Sequence, residues 1–168
     1  MKIGIVSDSH GKAGPLRAAA AILVERGAEA LVHCGDAGSL ECVEALAAAG
    51  VPAYLVAGNM DRHFAHLSAA AAACGVTCQL DKIEVPLGDG RSLAATHGHI
   101  DTLLNELVLS ERFAYICHGH THRFRDDRFG PTRVLCPGAL NHPKAPRHPT
   151  VLLLDTESDS VEQIRIDS

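Results

Sequence analysis

Ile3-Gly4-Ile5-Val6-Ser7-Asp8-Ser9-His10-Gly11 is a short apolar run that ends in a carboxylate and an imidazole two residues apart. The run reads as a buried strand. Residues two apart in a strand share a side, so a strand ending at Ser7 projects Asp8 and His10 together from its carboxyl edge. Open α/β sheets place their ligand sites at that edge. Alone, the pair reads as a loop carboxylate capping the next helix and a solvated histidine. Recurrence changes the reading. Leu31-Val32-His33-Cys34 runs into Gly35-Asp36, and Ala53-Tyr54-Leu55-Val56-Ala57 into Gly58-Asn59-Met60-Asp61. Ser92 to Thr96 runs into His97-Gly98-His99, and Ala114 to Cys117 into His118-Gly119-His120-Thr121-His122. Five apolar runs end in metal-ligand residue types.

Between these runs the pattern is helical, then extended. Pro15 suits a first helical turn, and an alanine-rich helix is expected from Leu16 to Arg26, stopped by Gly27. Ser39 caps a second helix ended by Gly50 and Pro52. A third covers Phe64 to Cys74. Strand, helix, strand, helix, strand is a parallel α/β beginning. Val76 to Leu80, Ile83 to Leu87 and Ser92 to Thr96 then read as a meander with a turn at Gly88-Asp89-Gly90. A helix from Asp101 to Arg112 follows, its leucines at core spacing. A hairpin about Gly130-Pro131, a proline-rich loop from Pro137 to Pro149, and strands at Val151 to Asp155 and Val161 to Ile166 complete the chain. The expected architecture is α/β in four layers, two mixed β-sheets packed face to face with helices on the outer faces, as one domain spanning 1–168.

Composition narrows the function classes. The 168 residues are 46% hydrophobic and 21% charged, which suits a globular core. Aromatics are 4% with no tryptophan, so stacking platforms for single strands are not expected. A net charge of -5 argues against a duplex-binding face and a stable nucleic-acid complex. No apolar run approaches the roughly 20 residues needed to cross a bilayer, and the amino terminus carries no export signal. Six cysteines without a C-x-x-C pair read as reduced thiols, so the cytoplasm is the expected compartment.

The candidate ligands are Asp8, His10, Asp36, Asn59, His97, His120 and His122. Mixed oxygen and imidazole donors suit first-row divalent metals better than calcium or magnesium. Seven donors exceed one ion's needs. They suit two divalent transition-metal ions, with manganese placed first and nickel, iron, zinc or cobalt as alternatives. Two such ions activate a bridging hydroxide as nucleophile and neutralise a phosphoryl group attacked in line. Phosphoester hydrolysis is therefore the leading reading, on a small phosphodiester or nucleotide-like substrate.

The ordered set Asp8-x-His10, Gly35-Asp36, Gly58-Asn59-x-Asp61, His97-Gly98-His99 and Gly119-His120-Thr121-His122 resembles the calcineurin-like metallophosphoesterases. The short length and the Pro137-Gly138-Ala139 loop are similar to the small bacterial and archaeal phosphodiesterase branch. The resemblance spans residues 3 to about 140. It implies that Asp8, His10 and His122 bind one metal, that Asn59, His97 and His120 bind the other, and that Asp36 bridges them.

One position departs from the family. Where many members have a histidine that acts as general acid, this chain has Met60, which cannot donate a proton. His99 either substitutes or supports a ligand; Asp61 either orients Asn59 or caps the next helix. His33 and His118 read as buried structural groups, and His63 and His66 as solvated. Arg62, Asn141, Lys144 and Arg147 either bind a substrate phosphate or are solvated surface, and solvated surface is the reading favoured for each. Two alternatives to a phosphodiesterase are a phosphomonoesterase and a non-catalytic scaffold like the retromer subunit that resembles this family. Seven chemically competent ligand positions favour the enzyme. Self-association into a homo-oligomer is compatible with a small domain that has exposed strands.

Overall fold

The first half of the chain alternates strand and helix because its apolar runs are short and its helices are punctuated by proline, serine and glycine. In this computed structural model, which describes residues 1–167, the order is β1 (Lys2–Val6), α1 (Ala13–Glu25), β2 (Ala30–His33), α2 (Leu40–Ala47), β3 (Ala53–Val56), α3 (Phe64–Ala73) and β4 (Thr77–Gln79). Pro15 lies in the first turn of α1, and Leu16, Ala19, Ala20 and Leu23 form its buried stripe. Ser39 caps α2 by accepting the Cys42 N–H at 3.3 Å.

The second half comprises β5 (Lys82–Pro86), β6 (Ser92–Thr96), α4 (Asp101–Leu109), β7 (Tyr115–Cys117), β8 (Phe124–Phe129), β9 (Thr132–Pro137), β10 (Thr150–Asp155) and β11 (Ser160–Arg165). One sheet has the order β11-β10-β1-β2-β3-β4 and the other β5-β6-β7-β9-β8. Strands β1 to β4 pair in parallel, as do β6-β7 and β7-β9; the outer pairings β10-β11 and β5-β6 are antiparallel.

Period-two alternation sorts the core into layers. Ile3, Ile5, Val32, Cys34 and Leu152 face Val85, Leu93, Cys117 and Leu135 between the sheets. Val6, Leu31, Leu55 and Val151 on the opposite face meet α1, α2 and α3. Leu107 of α4, with Leu103, Leu104 and Val108, covers Ile116 and Val134 on the outside of the second sheet. These are the four expected layers.

Two local expectations are corrected. The stretch 76–96 is no meander: β4 pairs in parallel with β3 and closes the first sheet, while β5 and β6 form a hairpin in the second. Alternation identifies a strand but not its partner, and the exposed ends of β4 carried no facial signal. Helix α4 stops at Leu109, short of Arg112. The Ser110 hydroxyl donates to the Leu107 carbonyl at 2.7 Å, and Glu111 turns into the left-handed region at φ 52°.

The parallel strands of both sheets deliver their carboxyl ends to one edge. The loops there are laced together: Asp8 N–H donates to Gly35 O at 3.1 Å, His10 N–H to Asp36 O at 2.9 Å, and Gly119 N–H to His97 O at 3.0 Å. Leu140 and Asn141 N–H groups donate to the carbonyls of Ser7 and Asp8, which ties the proline-rich loop to the same edge.

Candidate metal centre

At that edge the backbone turns sharply at the side chains it presents. Asp8, His10, Asp36, His120 and His122 all have φ between 45° and 65°. Aspartate and histidine tolerate this left-handed region better than most residues, at a cost of order 1 kcal/mol each. Concentrated strain of this kind marks a functional site. Two glycines make the approach possible. A Cβ at Gly58 would collide with the Asp36 carboxylate and backbone nitrogen, and one at Gly119 with the Ser7 hydroxyl and the Asp8 carboxylate.

Five of the seven expected ligands converge directly. Asp8, His10 and His122 bring one ligand atom each within 4.8 Å of one another, and so do Asp8, Asp36 and His97. Within the first group His122 Nε2 lies 3.2 Å from Asp8 Oδ1 and 3.3 Å from His10 Nε2. Asp36 Oδ2 sits between the groups, 3.3 Å from His97 Nε2 and 3.9 Å from His10 Nε2. Asn59 joins through Oδ1, 3.1 Å from His97 Nε2. His120 stands at the rim, its ring centroid 5.2 Å from that of His97.

The polar atoms here are arranged for a cation. His97 Nδ1 faces the Cys34 carbonyl and His122 Nδ1 the His142 carbonyl, each at 2.8 Å. A carbonyl only accepts, so both rings carry their proton on Nδ1. In the neutral ring Nε2 is then a bare lone pair. The His97 lone pair therefore points at two oxygens, Asp36 Oδ2 and Asn59 Oδ1, that also only accept. Asp8 Oδ2 takes the Ser7 hydroxyl at 2.6 Å and the His120 N–H at 3.2 Å. Asp8 Oδ1, fully buried, has no hydrogen-bond partner. A buried, unpaired carboxylate oxygen is costly unless a cation or donor meets it. The residues fit divalent metal ions.

Electrostatics say the same. Burial raises the Asp8 carboxyl, but the His122 ring, the Ser7 hydroxyl and the His97 charge outweigh it and hold it below the ordinary range. Asp36 is likewise lowered against its burial by His97 and by the Met60 N–H, which donates to Oδ1 at 2.8 Å. His97 is raised by Asp36 and Asp8 despite burial, and His122 is raised by Asp8. The carboxylates thus draw positive charge onto the rings, and a metal supplies that charge without a proton. Burial and then the His97 charge lower His120, which favours the neutral ring that a ligand needs.

The remaining candidates are placed differently. His99 is exposed at the rim, its ring centroid 5.4 Å from that of His97 and 6.3 Å from that of His120. Asp61 neither touches Asn59 through its carboxylate nor caps α3, whose N-cap is His63. It accepts the N–H groups of Gly58 at 2.9 Å, Ala37 at 3.2 Å and Gly38 at 2.8 Å, which clamps the loops carrying Asp36 and Asn59. His33 is fully buried: Gly35 N–H donates to its Nδ1 at 3.2 Å and its Nε2 donates to Ser9 Oγ at 2.8 Å. Sequence reasoning missed Ser7 and the Cys34 and His142 carbonyls. Carbonyls carry no residue-type signal; Ser7, adjacent to Asp8, could have been found.

Comparisons with known proteins agree with this geometry. A family model described as the calcineurin-like phosphoesterase superfamily domain matches residues 1–159. A phosphodiesterase of Methanocaldococcus jannaschii is 27% identical over 178 residues, which cover 98% of each chain. A solved structure described as a novel archaeal phosphodiesterase superposes with a TM-score of 0.88 at 28% identity, over 99% of this chain and 100% of its own. The Escherichia coli phosphoesterase Yfce gives 0.69 at 21% identity over 99% and 100%, a likeness of fold.

Proposed function

We propose that this chain, which belongs to the calcineurin-like phosphoesterase superfamily, is a metal-dependent phosphodiesterase that uses a dinuclear centre on small diesters. The observation that carries the reading is the unpaired, buried Asp8 Oδ1, which faces the Nε2 lone pair of His122 at 3.2 Å. Asp8, His10 and His122 would hold one ion and Asn59, His97 and His120 the other. Asp36 would bridge them, because its Oδ2 lies within 4 Å of a ring from each set. When bound, such ions supply an activated water at neutral pH and neutralise the phosphoryl oxygens; manganese is our first choice.

The chain's own residues have narrower tasks. Ser7 and the His120 N–H orient Asp8, the Met60 N–H orients Asp36, and the Cys34 and His142 carbonyls fix the tautomers of His97 and His122. Asp61 keeps the two loops in register as a positioning group. His99, exposed beside His97 and His120, would be the side chain that hands a proton to a departing alkoxide, since Met60 has none to give. That favours diesters with good leaving groups.

Seven chemically competent ligand positions argue against a scaffold, which has no use for a buried carboxylate oxygen without a partner. All six cysteines are free, which supports a reducing cytoplasm, and no helix among the described residues is long and apolar enough to cross a membrane. The test is hydrolysis of bis-p-nitrophenyl phosphate beside p-nitrophenyl phosphate by metal-stripped protein, with Mn²⁺, Ni²⁺, Zn²⁺ or Mg²⁺ returned singly. Diester turnover that needs a transition metal supports the proposal. Preference for the monoester moves the assignment to a phosphatase, and no turnover despite tight metal binding moves it to a scaffold.

A further inference from the structure

The two loops that supply Asp36 and Asn59 also enclose a cleft of about 260 Å³ that the metal chemistry does not use. Gly38, Ser39 and Leu40 form one wall, and Met60 to His63 with His66 and Leu67 form the other. Met60 joins cleft and centre: its N–H holds Asp36 at 2.8 Å while its side chain lines the cleft. Met60 and Leu40 are 48% and 49% exposed, two of only six large apolar side chains more than a third exposed among the described residues. Both lie in this one cleft. The Asp61 carboxylate is turned onto three backbone N–H groups, which solvate its charge in place of water. Arg62 at the rim makes no ion pair or side-chain hydrogen bond among the described residues.

We infer that this cleft is the subsite for an aromatic arm of the substrate, a phenyl-like ring or a nucleobase. The inference rests on the phosphodiesterase reading and names its substrate class. Shape and chemistry both favour a ring. A cavity of about 150 Å³ accepts benzene, so this volume takes one ring with room for polar substituents. A thioether is polarisable and packs well on aromatic faces, and Leu40 supplies a second apolar contact. A guanidinium stacks on a ring face and attracts the phosphate attached to it. Met60 follows Asn59 in the chain and its N–H holds Asp36 Oδ1, so the cleft adjoins the loops that would present the phosphoryl group. A purely aliphatic arm would leave Arg62 without a partner, and a highly charged arm would waste the apolar floor.

The test compares phenylphosphonate with methylphosphonate by calorimetric titration of the Mn²⁺-loaded protein, so that binding is read without turnover. The ring is expected to bind about tenfold tighter. Met60→Ala and Leu40→Ser, made separately, should each cut that ratio to about twofold or less while circular dichroism shows a folded chain. Equal affinities in the parent protein, or a preference that survives both substitutions, would overturn the subsite. A kinetic arm uses p-nitrophenyl phenyl phosphate and p-nitrophenyl methyl phosphate, which share a leaving group. Metal-dependent turnover of both at equal KM removes the subsite and leaves the phosphodiesterase. Ring preference in binding with no turnover of either diester keeps the subsite and removes the phosphodiesterase.

Discussion

Acidification forces a proton onto His33, whose ring is built into the fold as a neutral group. The Gly35 N–H donates to Nδ1, and Nε2 uses its proton on Ser9 Oγ, whose hydroxyl donates in turn to the Ala37 carbonyl at 3.3 Å. A second proton would have to enter at Nδ1, against the Gly35 N–H and away from water. Burial accordingly lowers the His33 pKa from the ordinary 6.5 to about 4, against the pull of the Asp61 and Asp8 carboxylates. Between those values the unfolded chain binds the extra proton and the folded chain refuses it. Stability from this group is therefore full above about pH 6.5, falls as the pH drops toward 4, and changes no further below that. At about 1.4 kcal/mol per pH unit the loss is roughly 3 kcal/mol. His33→Gln offers an amide oxygen to the Gly35 N–H and an amide N–H to Ser9, so it should cost only about 1 kcal/mol near pH 7. Because glutamine does not titrate, the gap should close on acidification and reverse, leaving the variant more stable by about 2 kcal/mol near pH 4. Urea unfolding of metal-stripped parent and variant at several pH values measures the gap, and other groups titrating in both proteins cancel. A gap independent of pH would refute the assigned tautomer and the burial argument together.

Other predictions follow from the same contacts. Asp36→Asn removes the shared charge between the two ligand groups and should lower Mn²⁺ affinity by more than about 100-fold, beyond the usual effect of an outer partner, with hydrolysis lost in parallel; full activity with both ions bound would contradict the bridging role. Ser7→Ala leaves Asp8 Oδ2 with only the His120 N–H, so Mn²⁺ affinity measured by calorimetry should fall about 10-fold or more. Gly58→Ala drives a methyl into Asp36 and should destabilise the fold by about 1–3 kcal/mol in urea unfolding as well as weaken metal binding. Unchanged midpoint and affinity in that variant would refute the close approach.

The fold was legible because five of the parallel strands, β1, β2, β3, β6 and β7, announce themselves twice, by an apolar run and by the candidate ligand that follows it. Asp8, His10, Asp36, Asn59, His97, His120 and His122 could be collected as candidates without coordinates, since a carboxyl edge collects whatever follows its strands. Partner choice was less legible. The alternation at Thr77 to Gln79 fits a hairpin with β5 as well as a parallel pairing with β3, and only packing against the rest of the sheet decides. The end of α4 turned on one serine hydroxyl and a left-handed Glu111. Within the centre, the groups that orient the ligands are the least visible in the sequence. The Cys34 and His142 carbonyls, the Met60 N–H and the Asp61 clamp act through the backbone, so residue identity says little about them. Met60 is the instructive case: its side chain signals a missing acid, while its N–H holds the Asp36 carboxylate.

The dinuclear centre is the claim on which the rest depends, and metal stoichiometry tests it most directly. Metal-stripped protein titrated with Mn²⁺ and analysed by elemental mass spectrometry after dialysis should retain two ions per chain, and Asp36→Asn at most one. Retention of one ion or none by the parent protein, with the fold intact, would contradict the account.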